Sequence, residues 1–84
     1  MYRLSNGVTA ELIDRCYILL KENGDAATLN ETASFILDNM NKDQEHLINL
    51  FCKEYMTDHK TAQTDIEELI AELLRRELIV ADLV

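Results

Sequence analysis

The chain has 84 residues, 48% of them hydrophobic, with no proline, two glycines and a formal net charge of -8. That length suits one small domain with a modest core and excludes a deep enclosed active site with walls of its own, and the packing-rich composition excludes a disordered linker. Sixteen acids against eight cations, with no basic cluster, leave nothing to neutralise nucleic-acid phosphates or an anionic membrane.

No apolar run reaches the ~20 residues of a membrane span. The start MYRLSNGVT lacks a charged-then-apolar signal pattern, so a cytoplasmic protein is expected. Cys16 and Cys52 fall in different predicted elements and read as free, core-side thiols rather than a secreted disulfide framework.

The first third reads as short strands. Val8, Ala10 and Leu12 alternate with Thr9, Glu11 and Ile13; Asp14-Arg15 separates them from Cys16 to Lys21, and the pair predicts a hairpin. Glu22-Asn23-Gly24-Asp25 supplies residues suited to a tight turn, and Ala26, Ala27, Thr28 and Leu29 return as a third strand. The expected product is a three-stranded antiparallel meander.

From Asn30 the period changes to about 3.6. Asn30 caps a first helix whose stripe is Ala33, Ile36, Leu37 and Met40. Asp43 caps a second helix, marked by Leu47, Leu50, Phe51 and Tyr55, that stops near Met56. Thr57 to Lys60 is read as a polar connection, with Thr61 capping a third helix striped by Ile66, Leu69, Ile70, Leu73 and Leu74. The tail Leu78-Ile79-Val80 either folds back onto the core or extends as a short strand. The whole is expected to be one domain over residues 1–84, of α+β class, a three-stranded antiparallel sheet followed by three helices.

Chemistry-bearing constellations are sparse. Cys52 and His59 could share a metal, but no further ligands can be named. There is no phosphate-cradling glycine loop and no nucleophile elbow. Ser5 and Ser34 lack the Asp-Ser-Leu setting of an acyl-carrier serine. Strands beside three helices also suit a winged helix-turn-helix regulator, but Asp65, Glu67, Glu68 and Glu72 on the third helix would repel a duplex. A structural adaptor or oligomerisation module using a sheet edge is the other alternative. What remains is recognition by a sheet edge, whose unpaired backbone groups can add an extended peptide as another strand.

The order of LNETASFIL, a polar break, LINLFCKEYM and the spacing in TDIEELIAELLRRELIV resembles the PqqD family, over about Val8 to Val80. These are small precursor-peptide recognition domains of ribosomal peptide natural-product pathways. The resemblance implies a winged-helix-like fold without DNA function. It further implies a non-catalytic chaperone with no cofactor that binds the leader of a precursor peptide and delivers it to a modifying enzyme, often a radical S-adenosylmethionine enzyme. The leader adds to the third strand, here Ala26, Ala27, Thr28 and Leu29, and packs against a helix wall drawn from Asp65, Ile66, Leu69 and Leu73.

On a helical wheel Asp65, Leu69, Glu72 and Arg76 flank one side of the core stripe, and Gln63, Glu67 and Leu74 the other. The sequence leaves open which flank faces the sheet edge. Ile66, Ile70 and Leu73 read as core rather than contact, and Leu69 at the stripe's border as the best pocket residue. An acid-rich leader would have to point its charges away from Glu67, Glu68 and Glu72. The family's usual glycine before the closing apolar pair is replaced by Glu77, for which a positive φ costs more, so the third helix is expected to run on by a residue or two.

Overall fold

In a computed structural model describing residues 1–82, the chain runs β1 (Tyr2–Leu4), β2 (Thr9–Ile13), β3 (Cys16–Leu20), β4 (Ala26–Thr28), α1 (Glu31–Asn39), α2 (Gln44–Tyr55), α3 (His59–Arg75) and β5 (Ile79–Ala81). The last two positions of the expected domain, 83 and 84, lie outside the described residues. β2, β3 and β4 form the expected antiparallel meander ahead of three helices. Asp14 (φ 50°) and Arg15 (φ 67°) both take positive φ, the twist a two-residue hairpin loop needs, without the usual Asn-Gly. Gly24 (φ 95°) supplies it in the next turn, where Lys21 N donates to Asp25 O at 2.9 Å.

A second sheet was not expected from the sequence. β1 pairs antiparallel with β5, register Tyr2↔Ala81, Arg3↔Val80 and Leu4↔Ile79. Ser5 N donates to Leu78 O at 3.0 Å, and Tyr2 N donates to Met40 O at 2.9 Å. The tail therefore does both things left open for it: Leu78 and Ile79 are each about 1% exposed in the core, and Ile79 opens a strand.

Apolar residues at helical spacing converge on one core. Leu19 from β3, Leu47 from α2, Ile66 and Leu73 from α3, and Leu78 and Ile79 are its most fully buried large side chains. Each contributes roughly 1.5–3 kcal/mol by leaving water. Phe35, Phe51 and Tyr55 cluster at ring-centroid separations of 6.2, 5.5 and 4.9 Å and join α1 to α2.

The first two caps are as expected: Asn30 Oδ1 accepts from Ala33 N at 2.8 Å, and Asp43 Oδ1 from His46 N at 2.9 Å. The third corrects the sequence reading. Asp58, not Thr61, is the N-cap; its Oδ1 accepts from Thr61 N at 2.7 Å, and His59 and Lys60 are helical. An aspartate satisfies the third-residue amide better than a threonine three positions later can cap its own turn.

The other end is corrected too. α3 does not run on: Glu77 takes φ 59°, Glu77 N donates to Leu74 O at 3.0 Å and Leu78 N to Leu73 O at 2.9 Å. This is the Schellman termination, with Leu73 and Leu78 buried. Burial of Leu78 and Ile79 outweighs the ~1–2 kcal/mol that an L-residue loses in the left-handed region.

Glu77→Gly should therefore stabilise the fold by about 0.5–1 kcal/mol in urea unfolding, the relieved strain exceeding the extra freedom of the unfolded chain. Hydrogen bonds from the Thr61 amide and hydroxyl hold the Asp58 carboxyl below the usual carboxylate range. That contribution is present above the unfolded pKa and lost as pH falls through the lower folded one. Asp58→Asn keeps a cap without a charge, so its acid unfolding curve should be shallower than the parent's when melting is followed from pH 6 to about 2.

Candidate functional site

The open edge of β4 is the place where backbone chemistry meets a groove. The ladder's register is Ile18↔Thr28, Leu19↔Ala27 and Leu20↔Ala26. Beyond its ends, Lys21 N donates to Asp25 O, and Leu29 N donates to Tyr17 O at 2.8 Å. Bonded and non-bonded pairs alternate along an antiparallel ladder. Leu19–Ala27 is therefore the bonded pair between these two, and the N–H and C=O groups of Ala26 and Thr28 point away from β3. Their side chains are exposed, whereas Ala27 and Leu29 turn into the core.

A buried serine fixes the strand's far end. Ser34 on α1 is 2% exposed, and its Oγ accepts from Tyr17 N at 2.9 Å. Tyr17 thus gives its carbonyl to Leu29 and its amide to α1, locking the β4–α1 junction across β3. Sequence reasoning treated Ser34 only as a residue inside a helix.

α3 walls the groove. A cleft of about 450 Å³ lies between the start of α1 and the first half of α3, lined by Asn30, Thr32, Ala33 and Ile36 on one side and Asp65, Glu68 and Leu69 on the other. A second cleft of about 180 Å³ is lined by Lys21, Asp25 and Ala26 against Arg76 and Leu78. The beginning of β4 thus lies near the end of α3 and its continuation near the helix's first half, so α3 runs opposite in direction to β4.

These clefts decide which flank of α3 faces the edge. Asp65, Leu69 and Arg76 line them, and Glu72 shares their stripe. Glu67, on the other flank, accepts from Gln44 of α2 at 3.3 Å and from Gln63 at 3.1 Å. Glu72 accepts from Arg75 Nε at 3.0 Å, and these hydrogen bonds hold its carboxyl below the usual range. Leu69 is half-buried at the cleft, while Ile66 and Leu73 are 0% and 2% exposed and support the wall from beneath. From the sequence Glu68 is a charge that an acid-rich leader would avoid but is not assigned to the wall, although its position three residues after Asp65 and four before Glu72 puts it on the same stripe. Lys21 had no signal, because its place depends on the β3–β4 turn.

β2 carries the sheet's other open edge, beside clefts of about 350 and 380 Å³ that Asp38 lines from between. Tyr17 Oη donates to Asp38 there, and this hydrogen bond, with desolvation behind it, pushes the phenol's pKa up. Among the described residues no three His, Cys, Asp or Glu side chains converge as a metal site, and no helix is long and apolar enough to cross a membrane.

The family model of coenzyme PQQ synthesis protein D (PqqD) matches residues 15–79. The chain belongs to the PqqD family. The match takes in β3, β4, all three helices and the Leu78-Ile79 closure. No curated protein matches the chain. Among solved structures, TbiB1 in complex with the TbiA(beta) leader peptide is similar at 28% identity and TM-score 0.83, over 95% of this chain and 99% of that one. Lasso peptide synthetase B1 complexed with the leader peptide has 22% identity and TM-score 0.87, over 95% of this chain and 98% of that one, and shares the fold.

Proline separates the two kinds of β4 amide. Thr28→Pro removes an N–H that bonds nothing in the sheet and should leave the melting temperature within a few degrees of the parent. Ala27→Pro removes the amide bonded to Leu19 and should cost about 3 kcal/mol or more in urea unfolding.

Proposed function

We propose that this PqqD-family chain captures the leader of a ribosomally made precursor peptide as an added strand on β4 and presents it to a modifying enzyme. The observation that carries the reading is the outward-facing backbone of Ala26 and Thr28 between two clefts, one that Ala26 lines with Arg76 at the end of α3 and one that Asn30 lines with the first half of α3. Such an edge aligns a peptide through main-chain hydrogen bonds, while pockets beside it take alternate side chains and give selectivity. Similarity to TbiB1, determined with a leader peptide, supports the same reading.

The contacts follow from placement. Ala26 and Thr28 supply backbone donors and acceptors; Leu69, with Asp65, meets side chains of the peptide that point to the helix; Glu72 and Arg76 continue that wall. Ala27, Leu29, Ile66 and Leu73 act from below by fixing the strand and helix that make contact. The chain works in the cytoplasm as a binding partner, with bond-making left to the enzyme it serves; the resemblance to the family makes a radical S-adenosylmethionine enzyme one class of recipient.

Titration of 15N-labelled protein with leader peptides encoded beside its gene should shift the amides of Ala26, Thr28 and Leu69. Thr28→Pro should weaken binding by about tenfold, the worth of a backbone hydrogen bond and its surroundings, without unfolding the protein. Shifts running instead along Thr9–Ile13 would move the site to the β2 edge and refute the assignment.

A further inference from the structure

The two ends of the groove carry opposite charge. At the end near Asn30, Asp65 and Glu68 line the larger cleft, which has no cation in its lining. At the other end, Lys21 and Arg76 line the smaller cleft with Asp25 as the sole acid. Among the described residues the ion pairs are Arg15–Glu31, His59–Glu45 and Arg75–Glu72. Among the described residues, then, no carboxylate lies within 4 Å of the charged nitrogens of Lys21 or Arg76, in a chain that has twice as many acids as bases.

Lys21 is also held in place. It is half-buried, and its Nζ donates to Arg76 O at 3.3 Å, which fixes its charge where β3 ends and α3 stops. Asp25 is engaged by its own turn, its Oδ2 accepting from Asn23 Nδ2 at 3.3 Å. Between the two ends, Glu72 is neutralised by Arg75.

Resting on the strand-addition reading above, we propose that the groove reads the order of charge along the peptide, with Lys21 and Arg76 selecting an acidic residue and Asp65 and Glu68 a basic one. Antiparallel pairing is the commoner and slightly stronger arrangement. A peptide added that way runs from the Asn30 end to the Ala26 end, so it meets the acids first and the cations second. The four residue steps from Ala26 to Asn30 span about 13 Å of extended chain. Along α3, Glu68 to Arg76 spans about 12 Å. The matching ligand is an extended segment with Lys or Arg at one position and Asp or Glu four residues downstream, both on the same face of the strand.

The test is selection of a displayed library of random 12-residue peptides on the intact chain at low salt. Bound peptides should be enriched in the cation-then-acid order at a spacing of four, about tenfold over the reversed order, as expected when two attractive charge pairs with the groove wall replace two repulsive ones. Lys21→Gln with Arg76→Gln, checked by melting for an intact fold, should abolish the preference for the downstream acid while keeping that for the upstream cation. Selected peptides that shift the Ala26 and Thr28 amides but show no charge order, or the reversed one, overturn this inference and leave strand addition standing. Selection of no peptide that shifts those amides overturns both.

Discussion

The hydrogen bond from the Tyr17 amide to Ser34 Oγ is the constraint on which the groove depends. An antiparallel ladder would ordinarily send that amide to the opposing strand, but here β4 gives way to the Asn30 cap and α1 begins. Ser34 supplies the missing acceptor from inside the core, where an unpaired amide would cost ~1–3 kcal/mol. The sheet and first helix become one unit, and the angle between them sets how β4 faces α3.

The closing turn holds the other side of that arrangement. Glu77 in the left-handed region lets Leu78 and Ile79 enter the core directly after α3, and β5 then pairs with β1. α3 is thereby clamped at its end by a sheet as well as by its apolar stripe. The acids of α3 are divided by geometry into groups with different duties: Glu67 toward α2, Glu72 tied to Arg75, and Asp65 and Glu68 at the cleft.

Much of this was legible in the sequence because it is local. Alternation in Val8 to Ile13, the period change at Asn30 and the stripe from Ile66 to Leu73 each follow from backbone geometry over a few residues. The resemblance carried by LNETASFIL and the third helix led to the family that the match over residues 15–79 establishes. What stayed hidden is non-local. Tyr2–Leu4 is a strand only because Ile79–Ala81 returns beside it, some 75 residues later. The choice of flank on α3 needed the position of β4, and the role of Lys21 needed both the β3–β4 turn and the end of α3. Glu77 misled for a different reason: local preference argued for a longer helix, and burial of the two residues after it won.

β4 is only three residues long, and alternation leaves two of them facing outward. An added strand can gain at most four backbone hydrogen bonds there, each worth about 1 kcal/mol net. That is too little to offset the several kcal/mol lost on association. A ligand on this edge would be retained by its side chains in the clefts, with the backbone fixing register rather than supplying most of the affinity. Residence time would then be short and set by few contacts, which suits a carrier whose cargo must pass to a second protein: a longer strand would hold the peptide better and surrender it more slowly.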